Sequence, residues 1–151
     1  MCIDCITIII AADTVVELNN RIMEKPSSKE DAKRMLKELS GTLHYAHTGV
    51  VIVEKVGSAE PEETCTFISS TKVKFAELSD LAMDAYVATG EPMDKSGAYG
   101  IQGAGRGLVE YVEGDFFNVA GFPCYDFSHH FSHRLEHLFP NELTNKKGRL
   151  E

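Results

Sequence analysis

The sequence lacks the features that would place it in a membrane or on a nucleic acid. Its N-terminal apolar stretch is too short to span a bilayer, and it carries Asp4 and no basic flank, so it is a poor signal peptide. Lys and Arg total 15 against 23 Asp and Glu, a net charge of -8. Since nucleic acids and anionic membranes are polyanions, this balance argues against both as partners. A cytoplasmic protein is expected. The negative net charge does not exclude a small anionic ligand, because such a ligand responds to the charge of a local basic patch.

The sequence also lacks the cysteine patterns that usually bind metals. Of the four cysteines, Cys2 and Cys5 form a CxxC, but no second CxxC or Cys/His pair follows at zinc-finger spacing. Incidental thiols in a reduced protein are favoured over a metal site. The residues that would ligate a metal are therefore not identified by the sequence.

The length and composition predict one domain with a real hydrophobic core. The chain has 151 residues, of which 43% are hydrophobic. We expect a single domain over residues 1–140. A polar C-terminal tail is expected over residues 141–151.

The first informative segment is an apolar run at residues 7–12 that ends in Asp13 and Thr14. A short, β-branched, nearly uncharged run predicts a strand buried on both faces. In α/β proteins the active site gathers at the carboxyl ends of strands, and a charge there is costly unless it is paired, solvated or used. Asp13 is thus a candidate functional carboxylate, with a simple turn-capping Asp as the alternative.

The remaining pattern alternates between strands and helices. Asn19-Asn20 predicts a tight hairpin, and Ser27 and Glu30 have the spacing of a capping box that opens a helix ending at Gly41. Further elements are expected as a strand over 43–56 interrupted at Thr48-Gly49, a strand over 64–75, a helix over 79–90, a strand over 108–112 and a helix over 125–138. The predicted class is α/β, with a mixed sheet and flanking helices.

A glycine-rich segment is the second informative feature. Five glycines fall between Gly97 and Gly107, and the spacing is neither a Rossmann fingerprint nor a P-loop. Alone, such a segment is a flexible connection. It also places Lys95, Gln102 and Arg106 close together, and these side chains are able to hold a phosphate or contact the edge of a base.

Taken in order, the motifs resemble the Maf family of nucleoside triphosphate pyrophosphatases. The resemblance rests on Ala-Asp-Thr at residues 12–14, Lys25-Pro26 and Gly-Ile-Gln-Gly at residues 100–103. It also rests on residues 39–41, 48–50, 71–75, 86–92, 94–99 and 114–123. The match runs from about Ile10 to Pro123, most of the chain.

The resemblance implies hydrolysis of a nucleoside triphosphate to the monophosphate and pyrophosphate, on the mixed α/β fold shared with inosine triphosphate pyrophosphatases. It implies that Asp13 is the proton acceptor, that Lys25 contacts phosphates, and that Thr14 and Gln102 govern substrate choice. The glutamine form of this loop resembles the branch that acts on dTTP and UTP, whereas glutamate there marks a different branch. The family also points to a homodimer.

Physical chemistry agrees with these roles. Asp13 would accept a proton from water or hold the metal that acidifies it, and the sequence does not separate the two. A divalent cation is expected on the phosphates, Mg²⁺ first and Mn²⁺ as the alternative. Gln102 offers a donor and acceptors that suit uracil or thymine. Lys95 is either a phosphate ligand or the ion-pair partner of Asp94 or Glu91.

The chain also departs from the family pattern. Family members begin with a further strand and helix whose Ser-x-Ser-Pro-Arg-Arg motif grips the triphosphate, and this chain begins almost directly on the Asp13 strand, so an N-terminally truncated fold is expected. Glu24 stands where the family usually has glycine. The alternative functions are therefore a catalytically inactive nucleotide-binding or regulatory relative, or an incomplete isoform of the enzyme.

Overall fold

The computed structural model describes residues 6–57 and 59–138, without the side chains of residues 63, 64 and 133–138. The predicted tail, Cys2 and Cys5 all lie outside the described residues. The strands are β1 (Ile6–Leu18), β2 (Arg21–Met23), β3 (Leu43–Val56), β4 (Glu62–Phe75) and β5 (Val109–Glu113). The helices are α1 (Lys29–Leu39), α2 (Asp80–Ala88), α3 (Phe116–Ala120) and α4 (Cys124–Leu138), with 3₁₀ turns at Glu91–Asp94, Ser96–Ala98 and Ala104–Leu108.

One five-stranded sheet, in the order β2-β1-β3-β4-β5, forms the frame of the molecule. The predicted combination of helices and strands is confirmed. Every pairing among the described strands is antiparallel, so the parallel pairs that a mixed sheet would contain are not found in them. No helix in the described part of the chain is long and apolar enough to cross a bilayer.

The Asn19-Asn20 hairpin is confirmed. The two residues have φ of 54° and 60°, and Leu18 pairs with Arg21 across the turn. Positive φ at both central residues gives a twist that matches the flanking strands, and asparagine tolerates this conformation better than most residues.

The prediction for the first strand is wrong in two respects. β1 does not end at Asp13 but continues to Leu18, because its pairing with β3 runs without a break over twelve positions. The apolar half is also not buried on both faces, since Ile9 is 49% and Ile10 44% exposed. A β-branched run favours the extended conformation, but it does not specify what covers the strand. Asp13 therefore lies within a strand rather than at its end.

The predicted interruption at Thr48-Gly49 is also wrong. Gly49 pairs with Asp13 on one side and Ile68 on the other, and the register shift falls later, between Ile52 and Val53. A β-carbon placed at Gly49 would meet no atom within 4 Å. This glycine is therefore neither at a bulge nor at a close contact, and it leaves open space beside Asp13.

The helix caps are close to the prediction. Ser28, not Ser27, caps α1: its hydroxyl accepts from the Asp31 amide at 3.2 Å, while the Asp31 carboxylate accepts from the Ser27 amide at 2.9 Å. The capping box predicted at Ser27 and Glu30 is therefore wrong in its residues: Ser28 is the cap, and Asp31 returns a hydrogen bond to Ser27. The predicted cap of α2 at Ser79 is confirmed.

The main core lies where α1, α2 and the 3₁₀ turns cover one end of the sheet. It is formed by Val16, Leu18, Met23, Ala32, Met35, Leu36, Leu39, Val73, Phe75, Met83, Tyr86, Val87, Ala98, Tyr99 and Leu108. His44 is buried among these residues, with Nε2 at 2.9 Å from the hydroxyl of Tyr99 and its ring edge-on to Phe75. Burial lowers the pKa of His44 to about 4, so the imidazole is neutral at pH 7.

A second polar group fastens α3 onto the sheet. Asn118 is fully buried, and its Nδ2 donates to the carbonyl of Ala46 at 3.1 Å, the carbonyl of Ser69 at 3.3 Å and the hydroxyl of Thr71 at 3.0 Å. These acceptors lie on β3 and β4. The short helix is thereby held against two strands by one amide group.

The state of His44 predicts a pH-dependent stability. In the unfolded chain its pKa returns to about 6.5, so the unfolded state takes up the proton first as the pH falls. The free energy of unfolding therefore falls as the pH drops from about 6.5 to the folded pKa. His44 should account for a loss of about 2 kcal/mol between pH 7 and pH 5. The measurement is urea unfolding of wild type and His44→Leu at both pH values. The variant should be less stable at pH 7 but lose less on acidification; equal losses in the two proteins would contradict the assignment.

Candidate active site

One cleft of about 580 Å³ brings together residues that are far apart in the sequence. It is bordered by β1, by the segment after β2, by the 3₁₀ turns and by the end of α3. All five sequence-predicted site residues line it: Asp13, Thr14, Lys25, Lys95 and Gln102. The fold therefore brings all five residues to one place.

Asp13 lies in the middle of β1, with an exposed side chain. Its Oδ1 accepts a hydrogen bond from the Thr14 amide at 3.0 Å. None of the ion pairs among the described residues involves Asp13. With Gly49 opposite it and no β-carbon to fill the space, the carboxylate is accessible to solvent, as a proton acceptor needs.

Thr14 is the first member of a hydrogen-bonded chain. Its hydroxyl oxygen lies 2.8 Å from that of Thr48, and the buried Thr48 hydroxyl donates to the carbonyl of Asn118 at 3.3 Å. Because Thr48 uses its proton on that carbonyl, Thr14 donates to Thr48. The hydroxyl oxygen of Thr14 therefore meets a ligand in the cleft as an acceptor.

Ser96 joins the glycine-rich segment to β1. Its hydroxyl accepts from the Val16 amide at 2.9 Å and donates to the Met23 carbonyl at 2.5 Å. Next to it, the Gly97 amide donates to the Glu24 carbonyl at 3.2 Å. Gly97 has φ of 69°, and a β-carbon there would lie 2.9 Å from Val16. Only glycine fits this close approach, which holds the Lys95 segment beside the Lys25 segment.

Lys95 forms an ion pair with Asp94, with Nζ at 2.5 Å from Oδ1. This hydrogen bond holds the pKa of Asp94 below its ordinary value, and Lys25 adds a smaller electrostatic contribution. The ion-pair alternative for Lys95 is therefore realised in this structure. An exposed pair of this kind is screened by solvent and contributes little, so a phosphate would readily compete with Asp94.

The glycine-rich segment is organised by a carboxylate that sequence reasoning did not select. Glu91 accepts from the Tyr86 hydroxyl at 3.0 Å, the Ala104 amide at 2.8 Å and the Gly105 amide at 3.1 Å. The Tyr86 hydroxyl accepts in turn from the Gly100 amide at 3.0 Å. The interpretation as a flexible connection is wrong, because the segment folds onto Glu91. In the sequence, only the spacing of the glycines indicates this contact with Glu91.

The described residues contain no cluster of three His, Cys, Asp or Glu side chains that could hold a metal by themselves. The cleft does contain the carboxylates of Asp13, Glu91 and Asp94. Glu91 is occupied by amide donors and Asp94 by Lys95. Asp13 is thus the most available oxygen ligand of the three, and a divalent metal held there would take its other oxygen ligands from a bound molecule or from water.

Comparison with known proteins identifies the family to which the chain belongs. Residues 3–134 match the family model described as Maf-like protein. A dTTP/UTP pyrophosphatase of Bacillus anthracis is 47% identical over 116 residues, 77% of this chain and 58% of the relative. One of Thermococcus onnurineus is 51% identical over 115 residues, 76% of this chain and 59% of the relative.

A longer stretch matches a human protein named "Probable bifunctional dTTP/UTP pyrophosphatase/methyltransferase protein". The two are 48% identical over 134 residues, 87% of this chain and 21% of that protein. The chain thus spans about three-fifths of the length of the two microbial relatives and about a fifth of the human one. Since the family model covers most of the chain and includes every residue that lines the cleft, the chain belongs to the Maf-like protein family.

Proposed function

We propose that this protein is a nucleoside triphosphate pyrophosphatase that hydrolyses dTTP and UTP to the monophosphate and pyrophosphate. The observation that carries the proposal is the single cleft in which Asp13, Thr14, Lys25, Lys95 and Gln102 meet. Support comes from membership of the Maf-like family and from relatives that are named dTTP/UTP pyrophosphatases.

In the proposed reaction, Asp13 accepts a proton from the water that attacks the α-phosphorus. A bond forms between the water oxygen and the α-phosphorus, and the bond from the α-phosphorus to the oxygen bridging to the β-phosphorus breaks. Asp13 suits this role because it is solvated and free of an ion-pair partner among the described residues. A general base positioned in this way contributes about 10²–10⁴-fold to a rate.

Charge on the leaving pyrophosphate is stabilised by Lys25 and Lys95 in this proposal. Lys95 turns from Asp94 to the phosphates, which replaces an exposed ion pair by a contact with a higher charge. Mg²⁺ would neutralise charge on the phosphate oxygens. Asp13 lines the cleft where it would help hold the metal, which would then acidify the attacking water as the alternative to direct proton transfer.

Base selection is assigned to Gln102 and Thr14. The amide of Gln102 has both a donor and an acceptor, as required by the imide edge of uracil or thymine, which alternates acceptor, donor and acceptor. Thr14 supplies an acceptor, since its own proton goes to Thr48. Cytosine has an acceptor at N3 where uracil has a donor, so the Thr14 hydroxyl, which can only accept, would face an acceptor.

The first prediction of the proposal concerns Asp13. Asp13→Asn keeps the shape of the side chain but removes the base, so pyrophosphate release should fall by about 10²–10⁴-fold. The assay contains Mg²⁺ and a panel of dTTP, UTP, CTP, ATP and GTP. Glu110→Gln, at an exposed glutamate on β5, is the matched control and should keep wild-type turnover.

Unchanged turnover in Asp13→Asn would remove Asp13 from the mechanism. If the folded wild type binds nucleotide but releases no pyrophosphate, the protein is a catalytically inactive nucleotide-binding relative, the alternative function given in the sequence analysis.

A second prediction concerns Gln102. Gln102→Glu removes the amide donor and adds a negative charge, so the preference for dTTP and UTP over CTP should fall by about tenfold or more. The ratio of kcat/KM values between these nucleotides is the measurement. The side chain is exposed, so the melting temperature should not change. An unaltered ratio would show that Gln102 does not select the base.

A further inference from the structure

The position of Gln102 is not set by a helix or a strand. It lies between the 3₁₀ turns Ser96–Ala98 and Ala104–Leu108, and its side chain is exposed. A residue in such a segment can select a base only if the backbone on both sides of it is held in place. The structure shows one acidic group that holds the backbone on one side directly and on the other side through a tyrosine hydroxyl.

That group is the carboxylate of Glu91, at the start of its own 3₁₀ turn. Its Oε2 accepts from the Ala104 amide at 2.8 Å, and its Oε1 accepts from the Gly105 amide at 3.1 Å and from the Tyr86 hydroxyl at 3.0 Å. The Tyr86 hydroxyl accepts from the Gly100 amide at 3.0 Å. The backbone is thus fixed two residues before Gln102 by Tyr86, and two and three residues after it by Glu91.

The glycines are explained by the same contacts. A β-carbon on Gly103 would lie 2.3 Å from Glu91 Oε2, and one on Gly105 would lie 2.6 Å from the Gly100 carbonyl and 2.7 Å from the Tyr86 hydroxyl. The chain passes directly over the Glu91 carboxylate and the Tyr86 hydroxyl. No larger residue fits at these two positions while the hydrogen bonds are kept.

We propose that Glu91, together with Tyr86, is the positioning residue that fixes Gln102 in the cleft and so sets the preference for the base. The inference rests on the proposed nucleotide pyrophosphatase function. Glu91 acts through Gln102, by ordering residues 100–105, and not through the phosphates or the attacking water.

The protonation states suit this role. Burial acts to raise the pKa of Glu91, but the Gly105 and Ala104 amides and the Tyr86 hydroxyl outweigh it, and the pKa lies below its ordinary value. Burial raises the pKa of Tyr86, so its hydroxyl keeps its proton at neutral pH. An ionised carboxylate accepts all three bonds. A primary amide would place its NH₂ group against a donor, which leaves at least one of them unmade.

The test compares Glu91→Gln with wild type. Amide hydrogen exchange at Gly100, Ala104 and Gly105 should be at least about tenfold faster in the variant, the effect of losing one charge-assisted hydrogen bond. The ratio of kcat/KM for dTTP to that for CTP should fall by about tenfold as well, mainly through KM for dTTP. Tyr86→Phe, which removes one link only, should move both quantities in the same direction by less, and it provides the test if Glu91→Gln does not fold.

Glu110→Gln is again the matched control and should change neither quantity. A merely structural role for Glu91 would lower the melting temperature and leave the dTTP-to-CTP ratio unchanged, which overturns the inference while the proposed function stands. Exchange at the wild-type rate in both variants would also overturn it. A wild type that neither binds nor cleaves nucleotide removes the proposed function, and the inference falls with it.

Discussion

The antiparallel pairing of β1 with β3 is the constraint on which the site depends. It places Asp13 opposite Gly49 and Thr14 opposite Thr48, which gives the carboxylate its open space and gives the Thr14 hydroxyl its partner. A shift of one residue would move each side chain to the other face of the sheet. Thr48 of β3 donates in turn to the Asn118 carbonyl, so that α3, which ends at the cleft, is positioned from the strand paired with the one that carries Asp13.

Features with a local cause could be predicted from the sequence. The Asn19-Asn20 hairpin and the Ser79 cap depend on the conformations and hydrogen bonds of a few neighbouring residues, and both are confirmed. The extent and burial of β1 could not be predicted, because they depend on pairing with β3, a strand that is distant in the sequence. The sequence pattern alone indicated Asp13, Lys95 and Gln102, and the family resemblance added Thr14, Lys25 and the individual roles. These five residues do line one cleft, while their individual roles stay predictions.

Glu91 shows why part of the site was missed. Its partners are the backbone amides of Ala104 and Gly105, thirteen and fourteen residues along the chain. Such bonds leave no side-chain pattern in the sequence, apart from glycines where the two segments of the chain meet.

The net charge of the protein does not indicate what the cleft binds. At -8 the protein should repel a triphosphate, yet two carboxylates of the cleft have local partners, and two lysines line the same cleft. Local pairing, not the total charge, decides what this cleft admits.

The edge of β1 has a consequence for how the protein behaves at high concentration. β2 pairs only with Val16, Glu17 and Leu18, so in the described part of the chain the rest of that edge presents free backbone groups next to the exposed Ile9 and Ile10. Such an edge is a template for another strand. The charge of -8 opposes this association through repulsion, whose range shrinks from about 10 Å at 0.1 M salt to about 3 Å at 1 M. Colloidal stability is therefore governed by ionic strength, and concentrated solutions will stay monodisperse longest at low salt.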